Sequence, residues 1–541
     1  MELNNNGYKN NPAAESWRLD GACFTGSVPV TLYEGRAVCE IAEDFTLPEY
    51  LPEIRKLLRV SGVAAVPEKY VSARSIGVSG QIEYCALYVG SDGRVHAASF
   101  TDSYEMTAPF SEDAEWDSNG EIRSTVSVGV DGIVSRVTGA RRINVRSHVV
   151  SDIKVLGETL TGCSEVSREG HMQLLIKSCD YTGELFGESL ESEAVDELEL
   201  TGGDRYVCSY CQVFVDGTAA FSGYVECRGA VIMRHLIERE NGKLYDISRR
   251  IPFSEAVEVD GIAASIPVTA HGRCVGVKKS VKESGYEEAT DTVTVSAQIE
   301  LIVRGYEGRT LKYVGDAYST AHRCENQTRS CEMPRLLACS NKNMTLSETR
   351  GLDVLGADVS GAEVCDVTVV ANAEGVALSG TGKYTVNGSC RFSVVFLRSV
   401  GGVGDDADER EYASREVEIP FKYECAEGGL LPDSSSIHIE AVEPRVRCDG
   451  ENIDLGCELL ISYGLIGVET VKLVESTVLG EDISKKKSQY TVCYPSPSDT
   501  LWSVSKRYGA PVVRTAKSNG MDATGEADTV GLTDGVRYMI V

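Results

Sequence analysis

The chain has 541 residues, with 42% apolar and 25% charged side chains, 53 Gly and 15 Pro. At roughly 100 to 200 residues per domain this is a globular chain of several domains, unlike a disordered or collagen-like one. Its 81 acids against 53 bases give a net charge of −28, which argues against nucleic acid or anionic lipid as a partner of the whole chain.

The start, Met1 to Asp20, has neither the basic opening nor the apolar run of a signal peptide. No later run approaches the ~18 apolar residues of a membrane span. The expectation is a cytoplasmic protein with no membrane span. Its 18 Cys are scattered along the chain, and a reducing compartment keeps such residues as thiols. Cys85, Cys227, Cys390 and Cys457 lie in strand-like runs, where a free thiol packs as a small hydrophobe.

In chain order, the clearest helix signal is Leu47 to Val60, with Pro52 suited to a first turn and Ile54, Leu57 and Leu58 on one stripe. Almost everything after it reads as strands rich in Val, Ile, Tyr and Thr between Gly, Asn, Asp and Ser turns. Val126, Val128 and Val130 run into Asp131-Gly132, and Asn241-Gly242 is a hairpin turn between apolar runs.

Three marks recur. Ser79-Gly80, Ser222-Gly223 and Asn387-Gly388 are turn pairs that open similar strands, and Pro109-Phe110, Pro252-Phe253 and Pro420-Phe421 follow each. The third mark alternates apolar and polar residues, the period of a half-buried strand: Ile143 to Val149, Val293 to Ile299 and Ile453 to Leu459. Marks in one order at domain-sized intervals predict three copies of one domain, over 25–158, 159–308 and 309–478, after an N-terminal tail 1–24. Sheet sandwiches or barrel-like domains with few helices fit this pattern.

Composition then changes. Residues 485–541 carry eight Lys or Arg against five Asp or Glu. After a linker at 479–488, Gln489 to Cys493 reads as a strand, Ser498-Asp499 as a cap for a helix from Thr500 to Tyr508, and Gly509 as its stop. Pro511 opens a second helix to about Ser518, and Val536 to Val541 closes as a strand. Leu501, Val504 and Tyr508 form the inner stripe. This predicts a βααβ unit over 489–541.

Tyr490-Thr491-Val492, the run Asp499 to Gly509, Asn519 and Gly535 closely resemble a LysM domain over about 50 residues. Ser498 and Asp534 stand where that family usually has Gly and Pro. The resemblance implies a shallow groove for N-acetylglucosamine-containing glycans at Asp499, Thr500, Leu501 and Val530, Gly531, Leu532. With Pro48 to Ile54 ahead of the first, the three repeats are similar to SPOCS domains. Those occur in SipL-type spore coat morphogenetic proteins, which join such repeats to a C-terminal LysM. The resemblance implies a non-catalytic mother-cell protein that helps place a spore coat morphogenetic ATPase around the forespore, with the LysM module docking on it.

Other motifs carry less. Cys208-Ser209-Tyr210-Cys211 lacks the second ligand pair of a thiolate zinc site, so two thiols on a strand are expected. Ala377 to Tyr384 lacks the first Gly and following helix of a phosphate loop. Gly404 to Glu409 lacks the spacing of a calcium loop and suits a hairpin tip. None of the 7 His pairs visibly with Cys, Asp or Ser; His148 and His438 lie in alternating runs, as strand-surface or half-buried side chains. No metal, cofactor or catalytic group is expected.

Two functions compete. An assembly adaptor would dock on protein through Leu501, Trp502, Lys506 and Arg507, since aromatic and Arg side chains dominate interfaces. A wall-glycan binder, at the cell surface or on a phage tail, would use the loop groove instead. Trp502 suits either a ligand stack or the module's core. Exposed edge strands favour strand addition between chains, so a homo-oligomer is also expected.

Overall fold

A computed structural model describes residues 25–112, 114–117, 120–162, 171–200, 203–282, 291–356, 362–399, 410–428, 431–449, 451–483, 491–521 and 530–540. The expected tail 1–24 and the tip at 404–409 lie outside the described residues. The chain is mainly β, as its patterning predicts, and it forms several separate antiparallel sheets.

The first stretch supplies β1 (Thr25–Thr46), β2 (Ile54–Ala64), β3 (Glu68–Val71), β4 (Ser75–Gly90), β5 (Val95–Pro109), β6 (Arg123–Gly139) and β7 (Arg142–Gly162). One sheet is ordered β1-β7-β6; in the other, β5 lies along one edge of β4 while β2 and β3 share the opposite edge. The second stretch supplies β8 (Met172–Phe186), β9 (Leu190–Leu200), β10 (Arg205–Phe221), β11 (Tyr224–Glu238), β12 (Leu244–Glu258), β13 (Val268–Lys282) and β14 (Asp291–Ser319). Here β14 lies between β13 and the successive pieces β8 and β9, beside a β10-β11-β12 meander. The third supplies β15 (His322–Gly351), β16 (Glu363–Leu378), β17 (Lys383–Ser399), β18 (Arg410–Glu427), β19 (Ser434–Asp449) and β20 (Asn452–Asp482), as sheets β15-β20-β19 and β16-β17-β18.

Strand order is therefore closely similar three times: the last strand pairs with the first, and the facing sheet is a meander, β10-β11-β12 and β16-β17-β18 in the later stretches and β4 between β5 and the β2/β3 edge in the first. Each pair of sheets closes over one buried cluster drawn from both. The alternating runs lie at the start of β7, β14 and β20. Ile143, Val145, Ser147 and Val149, then Val293, Val295, Ala297 and Ile299, then Ile453, Leu455, Cys457 and Leu459 all point into these cores. Strands β7, β14 and β20 run through positions 158, 308 and 478 and end at Gly162, Ser319 and Asp482.

Leu47 to Val60 is not helical. Leu47 and Ile54 donate backbone hydrogen bonds to Arg141 and Ala140 (2.8 and 2.7 Å), and β2 then pairs with β4. Register shifts between Ile54 and Lys56 and between Leu57 and Arg59 each insert a residue. These two bulges turn a period-2 strand into apolar spacings of three and one, which imitate a helical stripe. Tertiary pairing outweighs the local propensity.

Two of the turn pairs are also reassigned. Ser222-Gly223 is a turn, with Gly223 at φ 87°, but Ser79-Gly80 and Asn387-Gly388 lie inside β4 and β17. Gly80 and Gly388 face Tyr104 and Phe421 across the ladder, and the second stretch does the same with Gly229 and Phe253. A Cβ at these glycines would lie 2.7 Å from the Tyr104 hydroxyl, 2.9 Å from the Phe253 ring and 2.6 Å from the Phe421 ring. The glycine is there to admit an aromatic ring from the neighbouring strand, not to make a turn. Asp131-Gly132 likewise forms a bulge within β6 and does not end the strand.

A second recurring bulge organises the whole molecule. It places Leu58, Val207 and Cys365 at equivalent points of β2, β10 and β16, opposite Leu87, Leu236 and Val395. All six are buried in one cluster shared by the three meanders. The next residue in each stretch is Arg59, Cys208 and Asp366. Arg59 pairs with Asp366, with side chains 6% and 1% exposed, and lies 4.7 Å from the centre of the Tyr210 ring. Around this point the stretches close a ring: Arg94 to Glu238 (3.0 Å), Lys243 to Glu363 (2.5 Å) and Lys56 to Glu411. The far ends of the first strands also meet, where Val28, Tyr181 and Met333 share a cluster.

Removing one member of a buried pair leaves a charge without a counter-ion, so Asp366→Ala is expected to lower unfolding stability by about 3–5 kcal/mol, whereas the double variant Arg59→Met/Asp366→Leu recovers most of that loss in denaturant titrations. Gly388→Ala drives a methyl into the Asn372 carbonyl oxygen (2.3 Å) as well as Phe421. It should cost about 1–3 kcal/mol in the same assay, more than Gly80→Ala, whose methyl meets only a side-chain tip.

Candidate interaction surface of the C-terminal module

The last described elements are β21 (Thr491–Cys493), α1 (Leu501–Tyr508), α2 (Val512–Ser518) and β22 (Tyr538–Ile540), with β21 and β22 paired antiparallel. Thr500 is the cap of α1, one residue later than the sequence suggests. Its hydroxyl accepts from the Ser503 N–H (3.1 Å), and the Ser503 hydroxyl accepts from the Thr500 N–H (2.9 Å), a reciprocal capping box. Gly509 ends the helix in the left-handed region at φ 60°. Leu501 and Val504 are buried, but Tyr508 is 38% exposed and not part of the inner stripe.

Asp499, freed from capping, accepts from the Ser496 N–H (2.9 Å) and from Arg507 (3.0 Å). The Arg507 guanidinium and that N–H hold the carboxyl below the usual range. Both segments expected to line a groove do come together. The Leu501 N–H donates to the Val530 carbonyl (2.9 Å), the Leu532 N–H donates to the Asp499 carbonyl (3.1 Å), and Thr500 bridges Gly531. Their backbone groups bond each other, and Leu501 and Leu532 are buried, so what these segments offer outward is mainly side chain.

Trp502 and Lys506 face the body. The Trp502 indole N–H donates to Asp316 (2.8 Å), and the Lys506 ammonium contacts both oxygens of the same carboxylate (2.6 and 2.7 Å). Tyr318, two residues along β14, meets the Trp502 ring edge-on at 5.0 Å and donates its hydroxyl to the Ala510 carbonyl (2.6 Å). Gln173 of β8 accepts from the Val512 N–H (3.3 Å). Leu175 and Tyr318 belong to the module's own buried cluster, and Trp502 is 4% exposed. Of the proposed docking residues, Leu501 and Trp502 are thus covered, Lys506 is engaged, and Arg507 is the one with half its surface open. Sequence reasoning missed Asp316, Tyr318 and Gln173, because nothing local distinguishes them from other strand residues.

A second feature lies between the sheet pairs. A cavity of about 360 Å³ is lined by β2 with β6, β10 with β13, and β16 with β19, the equivalent strands of each stretch. At its edge His271 and His438 stack with ring centres 3.8 Å apart, and Glu440 comes within 4.0 Å of His438. Burial, reinforced by Arg273 and Arg304, pushes His438 down to about 4 and His271 well below its ordinary value; burial raises Glu440 to about 8. His148 is on the surface, while Cys208 and Cys211 are free thiols within β10. Contrary to the sequence expectation, His235 does pair, with Ser209 (2.7 Å) and Asp196 (3.1 Å) brought to it by neighbouring strands, and His96 pairs with Asp92 (2.9 Å). Among the described residues no group of three His, Cys, Asp or Glu is placed to hold a metal ion, and no helix is long and apolar enough to cross a membrane.

Comparison of the chain with protein-family models, with curated proteins and with solved structures finds no match.

The buried groups give the stability a defined pH dependence. Below 6.5 the unfolded chain protonates His438 while the folded chain refuses the proton until about 4, so stability falls as pH drops across that window. Between 4.5 and about 8 the folded chain keeps the Glu440 proton that the unfolded chain releases, so stability falls as pH rises there. Glu440→Gln should therefore show its largest gain over the parent near pH 8 and little gain at pH 4.5, read from urea midpoints across that range.

Proposed function

We propose that the chain is a non-catalytic assembly adaptor in endospore coat morphogenesis. In this reading 25–158, 159–308 and 309–478 are three copies of one SPOCS-like β-sandwich domain, and 489–541 is a LysM-like module docking on a spore coat morphogenetic ATPase at the forespore surface in the mother cell. The observation that carries it is the threefold recurrence of a closely similar strand order, ahead of a βααβ unit of opposite charge. That order matches the domain sequence implied by the residue-level resemblance.

The three sheet pairs close on one another through buried ion pairs and a common apolar cluster and form one acidic body. Such a body is suited to holding a module in place. In the module, the loops that a glycan groove needs are bonded to each other, while α1 keeps Arg507 and Tyr508 open, a basic and an aromatic side chain that suit a protein surface. Binding without turnover is the expected biochemistry.

A fluorescently tagged full chain should form a ring around the forespore in sporulating cells, and the purified chain should retain the purified morphogenetic ATPase on a column. Failure of both, or calorimetric heat with chitin oligomers in place of ATPase retention, would replace this reading with glycan binding.

A further inference from the structure

The contact between the C-terminal module and the body is built like a recognition site. One carboxylate, Asp316, receives the indole N–H of Trp502 and the ammonium of Lys506, while the ring two residues on, Tyr318, packs on the same indole and bonds the α1–α2 turn. Residues i and i+2 of a strand face the same side, so Asp316 and Tyr318 form a two-point motif on the end of β14. The motif is rigidly presented. Val314 to Asp316 is a bulge, and Asn326 on β15 donates to Asp316 (2.9 Å) and to the Ala317 carbonyl (2.8 Å), fixing its direction. Gln173 adds a third point from the neighbouring strand.

Charge fits the same picture. The contact sets a module with more bases than acids against a body that carries the acid excess. The ion pair is half open to solvent, with the Lys506 side chain 42% and Asp316 26% exposed, so it is of the kind that contributes modestly and exchanges readily. The aromatic and backbone contacts provide geometry, and the charges provide direction.

We infer that the α1 face of the module is a receptor for an acidic strand carrying an aromatic residue two positions after a carboxylate, and that β14 occupies it in cis as a latch. The inference rests on the adaptor reading for its biological use, and it specifies both the partner's chemistry and its control. A partner strand offering carboxylate-x-aromatic must displace Asp316 and Tyr318 before Trp502 and Lys506 become available. Apparent affinity is then reduced by the fraction of molecules that are latched.

The test uses the full chain and a fluorescent peptide with the sequence of residues 311–320, LKYVGDAYST. Asp316→Lys should open the latch: amide exchange in α1 and the end of β14 speeds up about tenfold, exchange in β4 and β5 is unchanged, and the peptide binds about tenfold more tightly than to the parent. Adding Lys506→Glu to this variant should re-form the pair with reversed charge, slow exchange again and abolish peptide binding. Unchanged exchange in Asp316→Lys overturns the latch. Faster exchange without peptide binding overturns the receptor. Neither result depends on the ATPase, so loss of this inference and loss of the adaptor reading are read from separate experiments.

Discussion

Everything in this fold depends on where three bulges meet. An extra residue in β2, β10 and β16 swings Leu58, Val207 and Cys365 out of their own sheets and into a shared cluster. A regular strand would aim those side chains at its own core or at water. Because each stretch contributes an equivalent position, the meanders converge instead of stacking end to end. Arg59 and Asp366 then occupy matching sites with opposite charge. Like charges at these two sites would repel in a buried setting, so it is their opposite sign that lets the first and third stretches close there. Buried contacts of Arg273 with the Ala64 and Val128 carbonyls and of Lys154 with Glu184 extend the closure along the inner strands.

That closure has an electrostatic consequence. A strongly acidic body repels other acidic bodies, yet it attracts the basic module that the same chain carries at its end. The module need not float on a linker: it shares its small core with Leu175 and Tyr318 of the body. The side chains with the best binding chemistry are therefore the ones already in use. The surface that remains open on the module includes Arg507, Tyr508 and the outward residues of the short sheet, Val492 and Met539.

Parts of this were readable from residues alone. Alternation in Ile143 to Val149, Val293 to Ile299 and Ile453 to Leu459 was legible because the final strand of each stretch has one dry face. The helices of the module were legible because their signals are local: a hydroxyl cap, a stripe, a glycine stop. Leu47 to Val60 was misread for the opposite reason. Its backbone hydrogen bonds go to Arg141 and Ala140 and to β4, all far along the chain, and paired bulges gave a strand the periodicity of a helix. Gly80 and Gly388 were misread as turns because a glycine that admits an aromatic ring looks, in sequence, like a glycine that bends the chain.

The sequence by itself determined the strand content, the threefold recurrence of its alternating run, the acidic body and the basic βααβ end, since period and charge are properties of neighbouring residues. Only the tertiary structure decided that the recurring units close around one junction and that Trp502 and Lys506 are held by Asp316. Those outcomes join residues up to 355 positions apart, and no local pattern encodes which distant carboxylate a cation will find.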